Sequence, residues 1–275
     1  MSKPTLYTFG ASVWSAAAEL VVAELFQPGA VDTKVVNLLK GENFDPAFVN
    51  LNPNATLPTL EADGKAYNTT QDVVAHLIKL SGKNVKGGSS FIQKIHEDQI
   101  DPNFSLLLAR NDEEKKAKGD LIVTEFLSGR QDALERFSKT PEAAALKESF
   151  YAPRITGNGG LLAIYKGEAS EDAKKGYYAT SDKHYNTVGA FIHDELPKHL
   201  SESGFIGGSQ PGEDDYHLAA WITRTAATVG AKTGEDGLPA FEKAYGKPLP
   251  AKVASYWKAW SSRPSFKTVY AEGLH

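Results

Sequence analysis

Apolar and polar positions along the first eighty residues switch repeatedly between strand and helix spacing. Residues 5–9 carry β-branched and aromatic side chains in a short run closed by Gly10, which predicts a buried strand. Ser12 is a good N-cap for the helix that should follow, and Leu20, Val21, Ala23, Glu24, Leu25 and Phe26 continue its spacing until Pro28-Gly29 ends it. Residues 32–38 alternate as a second strand. Residues 45–50 predict a short helix with Asp45 as cap and Pro46 at its first position, stopped by Asn52-Pro53. Residues 57–62, the Asp63-Gly64 turn and residues 65–67 predict an antiparallel pair. Thr69 or Thr70 then caps a helix whose Val73, Val74 and Leu77 face the sheet. The predicted order is β-α-β-α-β-β-α.

After residue 82 the pattern changes. Residues 83–90 are polar and Gly-rich, which places a linker there. Beyond it, residues 89–110, 112–137, 141–150 and 171–200 have helical spacing, with Pro102 kinking or ending the first of these. Pro211-Gly212-Glu213-Asp214-Asp215 opens a helix running through Tyr216, Leu218, Ala219, Ala220, Trp221 and Ile222, with Asp215 as the inner half of a capping box whose usual hydroxyl cap is replaced by Gly212. Residues 250–260 form another helix. Residues 139–167 are the least readable stretch, since Pro153, Gly157, Gly159 and Gly160 interrupt it. The fold class expected is α+β: residues 1–82 as a mixed domain, 83–90 as linker, and 91–275 as an all-helical domain.

Composition narrows the chemistry. The 275 residues are 41% hydrophobic and 23% charged, as in an ordinary globular chain, and the net charge of −4 offers no long-range attraction for phosphate backbones or anionic lipid. Nucleic acid and membrane are not expected partners. The absence of Cys removes disulfides, thiolate metal sites and a cysteine nucleophile, though not a thiol carried by a ligand. The seven histidines show no metal-ligand spacing, so no metal is expected. Residues 6–23 are apolar-rich, but Pro4, Gly10, Glu19 and Glu24 interrupt the block that a cleaved leader needs, and no uncharged run approaches the roughly 18–20 residues of a membrane span. The expected compartment is cytoplasmic.

Three motifs, in order and on this predicted fold, resemble the glutathione transferase superfamily. Residues 52–60, Asn-Pro-Asn-Ala-Thr-Leu-Pro-Thr-Leu, are similar to its Asn-Pro…Val-Pro-x-Leu segment. Phe205-Ile206-Gly207-Gly208 with Pro211 and Asp215-Tyr216-His217-Leu218-Ala219 is similar to its capped core helix, and Arg263-Pro264-Ser265-Phe266 to its C-terminal signature. The resemblance implies a thioredoxin-like N-terminal domain that binds glutathione as co-substrate, a helical substrate domain, a homodimer, and a detoxification reaction in which the thiolate attacks a small hydrophobic electrophile or a peroxide. A non-catalytic ligand-binding or protein-interaction module with the same fold is the alternative.

The resemblance also assigns roles. Leu57 and a cis Pro58 would hold the extended tripeptide, and Thr70 at its helix start would bind the γ-glutamyl carboxylate. Thr69 stands where the family has an acidic residue for the ammonium, with Gln71 or Asp72 as compensating candidates. Asn43 and Phe44 stand where the family often has basic residues for the glycyl carboxylate, with Lys40 as a substitute. A thiol of pKa near 8.5 needs roughly 3 kcal/mol for two units of depression, and one hydroxyl hydrogen bond to the charged sulfur supplies about 1.5–3. Ser12 falls at the family's activating serine, Ser15 is the second candidate and Tyr7 the third; Ser12 could equally serve only as a helix cap. Phe9, Trp14 and Tyr270 are the expected apolar pocket walls.

Overall fold

The computed structural model describes residues 3–202 and 204–275. The strands are β1 (Thr5–Thr8), β2 (Asp32–Val35), β3 (Thr59–Ala62) and β4 (Lys65–Tyr67). The helices of the N-terminal part are α1 (Val13–Leu25), α2 (Pro46–Leu51) and α3 (Thr70–Ser81). Thereafter come α4 (Ser90–Ile95), α5 (Pro102–Leu107), α6 (Asp112–Lys118), α7 (Thr124–Phe137), α8 (Ala152–Lys166), α9 (Glu171–Ala190), α10 (Leu196–His199), α11 (Glu213–Thr228), α12 (Gly237–Tyr245), α13 (Ala251–Ser261) and α14 (Pro264–Val269). The α+β thioredoxin-like order followed by an all-helical part is as expected.

The chain forms two compact units. The first comprises residues 1–34, 57–105 and 184–275. Its sheet has the order β2-β1-β3-β4, with Leu6 opposite Leu60 and Leu60 opposite Tyr67 in antiparallel register. The Asp63-Gly64 turn has positive φ at both positions (53° and 72°), which an aspartate and a glycine tolerate and the hairpin twist requires. Leu6 and Leu60 bury against α1 and α3 through Ala17, Leu20, Val21, Val73, Val74 and Leu77. Helix α1 packs on α3 and on α11, and α11 is buried on every side from Asp214 to Ala226. Asp215 anchors the approach to α11 by accepting the amides of Ile206, Gly207 and Gly212 at 2.7–2.8 Å; glycine at the cap has no hydroxyl to return, so the box is half complete.

The second unit comprises residues 35–56 and 106–183. Helices α7 and α8 pack together, and Phe44, Val49, Ala133, Leu134, Phe150 and Tyr151 form its main core, with the Tyr151 hydroxyl donating to the Phe44 carbonyl at 2.8 Å. A β-carbon on Gly129 would lie 2.1 Å from the Leu39 carbonyl oxygen, so this close approach requires glycine. One expectation needs correction, and one stretch that the pattern leaves unreadable becomes clear. The second strand ends at Val35, not 38, because Asn37 accepts the amides of Leu39 and Lys40 and gives its own amide to Glu42, turning the chain out of the sheet. Residues 141–166 are helical in three successive pitches despite the glycines, because the α7 face they pack against overrides the local breakers.

Candidate active site

The turn from β1 into α1 puts a hydroxyl at a helix start. The Ser12 amide donates to the Phe9 carbonyl at 2.8 Å, its backbone is extended (φ −96°, ψ 120°), and its carbonyl accepts the first helical amide, that of Ala16, at 3.1 Å. Its Oγ accepts from the Ser15 amide at 3.3 Å, a weak capping bond. Capping uses the oxygen as an acceptor and leaves the hydroxyl hydrogen to be donated outward, so capping and thiolate binding are compatible in one side chain. Ser15 differs: it is 0% exposed and its Oγ is buried without a partner.

Tyr7 sits on β1 with Leu6 and Thr8 turned to the buried side, so its ring takes the other face. Its hydroxyl donates to the Glu61 carboxylate and accepts from Lys34 Nζ at 3.2 Å. Burial and the Glu61 carboxylate push its pKa up, which holds it protonated.

Two further features of the first unit offer backbone polar groups. The Leu57-Pro58 peptide is cis. Among the described residues, nothing hydrogen-bonds to the Leu57 amide or carbonyl, although the side chain is buried. At the next helix Thr69 is the N-cap: its Oγ1 accepts the Asp72 amide at 3.1 Å and donates to the Asp72 carboxylate at 2.7 Å. The Thr70 hydroxyl and the Thr70 and Gln71 amides have no partner among the described residues, and a helix start presenting such donors suits an anion.

Lys40 and Asn43 lie in the second unit. Lys40 is exposed. Asn43 is buried and donates from Nδ2 to the Ala55 carbonyl at 2.8 Å, so its amide ties the loop to itself.

Of the expected pocket walls, Phe9 is half-buried, and Trp14 is buried and stacked on His96 with ring centres 3.7 Å apart. His96 Nε2 in turn meets His217 Nδ1 at 2.9 Å. Burial lowers both histidines, His96 to about 4. Tyr270 is buried against Phe266 and His275. No group of three or more His, Asp or Glu among the described residues could hold a metal ion.

One residue of the site region escaped the sequence pattern. Arg224, on α11, reaches back to the carbonyl of Ala11 immediately before Ser12. Its only sequence signal is a lone cation within Trp221-Ile222-Thr223-Arg224-Thr225-Ala226, a run that otherwise reads as core.

Residues 6–84 match the family described as glutathione S-transferase, N-terminal domain. The chain is similar in fold to the β-etherase LigF from Sphingobium sp. strain SYK-6, at 13% identity over 98% of this chain and 100% of that one, with a TM-score of 0.55. It is similar to Gtt2 from Saccharomyces cerevisiae, at 16% identity over 96% and 99% of the two chains, TM-score 0.53. A glutathione transferase family member from Pseudomonas fluorescens pf-5, solved with two glutathione bound, matches at 14% identity over 97% and 92%, TM-score 0.51.

Proposed function

We propose, from the premise that this chain belongs to the glutathione transferase superfamily by its N-terminal domain and its fold, that it is a serine-type glutathione transferase. The carrying observation is Ser12: an extended cap at the start of α1 whose oxygen is engaged by the Ser15 amide and whose hydrogen is free to donate. Tyr7 has its hydroxyl engaged by Glu61 and Lys34, and Ser15 has its own sealed in the core, which leaves Ser12 as the group to face a sulfur.

Glutathione supplies the thiol. The Leu57 amide and carbonyl pair with its extended backbone, and the Thr70 hydroxyl with the amides of Thr70 and Gln71 holds the γ-glutamyl carboxylate. Asp72, beside Thr69 at the same helix start, answers the ammonium. The Ser12 hydroxyl donates to the sulfur and stabilises its anion, helped by the positive end of α1. On an electrophilic carbon the sulfur's electron pair forms the new bond and the leaving group departs with its own pair. Residues 1–82 act as the glutathione-binding domain and 91–275 as the substrate domain of a cytoplasmic homodimer, in which Phe9 presents apolar surface to a small electrophile while Trp14 and Tyr270 are packed within the core. A monomer at micromolar concentration in light scattering rejects the dimer.

The second reading, a non-catalytic module, is favoured by Thr69 and Asn43. Both stand where family contacts to glutathione are expected, and both are engaged within the protein. A thermal shift with reduced glutathione, beside a conjugation assay, separates the two. The transferase reading predicts a shift with turnover, and a loss of turnover in Ser12→Ala of about tenfold to a hundredfold, the equivalent of about 1.5–3 kcal/mol. Turnover that survives Ser12→Ala moves the role to Ser15 or Tyr7. A shift without turnover in the wild type supports the module, and no shift at millimolar ligand rejects both.

A further inference from the structure

A helix enclosed on every side is ordinarily apolar; α11 instead buries Asp214, Asp215, His217, Thr223, Thr225 and, as its one cation among the described residues, Arg224. The side chain is 6% exposed, and its Nη2 donates to the carbonyl of Ala11. Its Nε is buried without a partner, and among the described residues it forms no ion pair. A guanidinium removed from water is normally matched by a carboxylate in direct contact. Here the charged and titratable groups that face it are Tyr270 and His275 of the C-terminal segment and Asp101 at the start of α5. Burial pushes Arg224 down only to about 10, so it is a cation at neutrality, and burial with the Arg224 charge keeps His275 neutral. Burial also pushes Asp101 up, against the pull of the Asn103 amide, which donates to it at 2.8 Å. Among the described residues no carboxylate is in direct contact with the guanidinium, so its charge is opposed only from a distance, by Asp101.

The bond to Ala11 gives that charge an address. Ala11 is the last residue before the Ser12 cap, and its carbonyl is held by a side chain of α11. We infer that Arg224 is a positioning residue for thiolate formation: it fixes the Ala11 carbonyl, and through it the Ser12 hydroxyl, and its charge lends positive potential to the place where the glutathione sulfur becomes an anion. The inference rests on the transferase reading. Arg224 needs no contact with the ligand; it acts through the turn and through space.

The test is a titration of bound glutathione by its thiolate ultraviolet absorbance, with steady-state kinetics alongside. In the wild type the bound thiol ionises below its free value. Arg224→Met, which keeps the stem and removes the charge, raises the bound thiol pKa by about one unit and lowers kcat below that pKa, with the KM for glutathione held within about threefold. Arg224→Lys restores at least half of the shift. Asp101→Asn removes the carboxylate that opposes Arg224 and moves the thiol the other way, down by about half a unit. A purely structural arginine does not predict that reversal of sign. Arg224→Met that is folded but titrates like the wild type overturns the inference. Should Arg224→Met not fold, Asp101→Asn decides: a bound thiol pKa unchanged or raised overturns it. A wild type that leaves the bound thiol at its free value overturns the transferase reading as well, which sets that failure apart from one confined to Arg224.

Discussion

Arg263 grips Glu24 with two hydrogen bonds, Nε to Oε1 at 2.7 Å and Nη2 to Oε2 at 2.6 Å, and the Ser265 hydroxyl donates to the same carboxylate. The pair joins α1 to the start of α14 within the first unit. Burial works against the Glu24 charge, but the hydrogen bonds from Arg263 and Ser265 outweigh it and hold the carboxyl below its usual value. Such a group contributes stability that is present above the unfolded pKa of about 4.3 and is lost as the pH falls through the lowered folded value. Arg263→Met is expected to cost about 2 kcal/mol in urea unfolding, less than the roughly 3–5 of a fully buried pair, since Glu24 is only partly shielded from water. It also removes this acid-side loss. A variant as stable as the wild type at pH 7 refutes the role given to the pair.

The histidines give a second pH dependence, at higher pH. His96 and His275 are lowered to about 4 by burial, and His217 is lowered well below its usual value. The unfolded chain takes up protons on these rings near pH 6.5 and the folded one refuses them, so stability is full above that pH and falls as the solution is acidified toward pH 4. The slope is about 1.4 kcal/mol per unit for each ring. Comparing urea midpoints at pH 7 and pH 5 checks this; equal midpoints sink it, and His96→Gln should flatten the slope by about one proton.

Much of the first unit was legible because its signals are local. The Asp63-Gly64 turn needs two positive φ values, Ser12 and Thr69 cap through their own side chains, and Asp215 collects amides from a few residues away. The roles proposed for Ser12, Leu57 and Thr70 come instead from the motif resemblance; local spacing by itself gives only a helix cap, a turn proline and a helix start. Arg224 was not legible, because its meaning lies in a partner 213 positions distant along the chain. Residues 139–167 are hard to read for a different reason: glycine and proline are strong local punctuation, and the packing against α7 is what holds residues 152–166 in a helix.

Gly129→Ala tests the tightest contact of the second unit. The new methyl would meet the Leu39 carbonyl oxygen, a backbone atom that cannot swing away as a flexible side chain can. A loss of about 3 kcal/mol, at the upper end for overpacking, is expected in chemical denaturation. A change below about 0.5 kcal/mol, the scale of an ordinary surface substitution, contradicts the close approach.

Ser15→Ala separates the two serines. The Ser15 hydroxyl is buried and unpaired, so its removal relieves a desolvation cost and should leave stability equal or improved by up to about 1 kcal/mol, with conjugation unchanged. Ser12→Ala should instead lose about 0.5–2 kcal/mol through the cap along with turnover. Thermal melts and initial rates of both variants read this directly, and a rate loss in Ser15→Ala overturns the division of labour.

The half-used oxygen of Ser12 makes the proposed site a reader of electron density rather than of shape. With one lone pair committed to an amide, the side chain has a proton to give, and it rewards whichever sulfur accepts best. An anionic sulfur accepts well; once alkylated it becomes a neutral thioether and accepts poorly. On the transferase reading the bond that gathers the nucleophile slackens when the reaction is complete, and the finished conjugate is expected to be held less firmly than the reagent it came from.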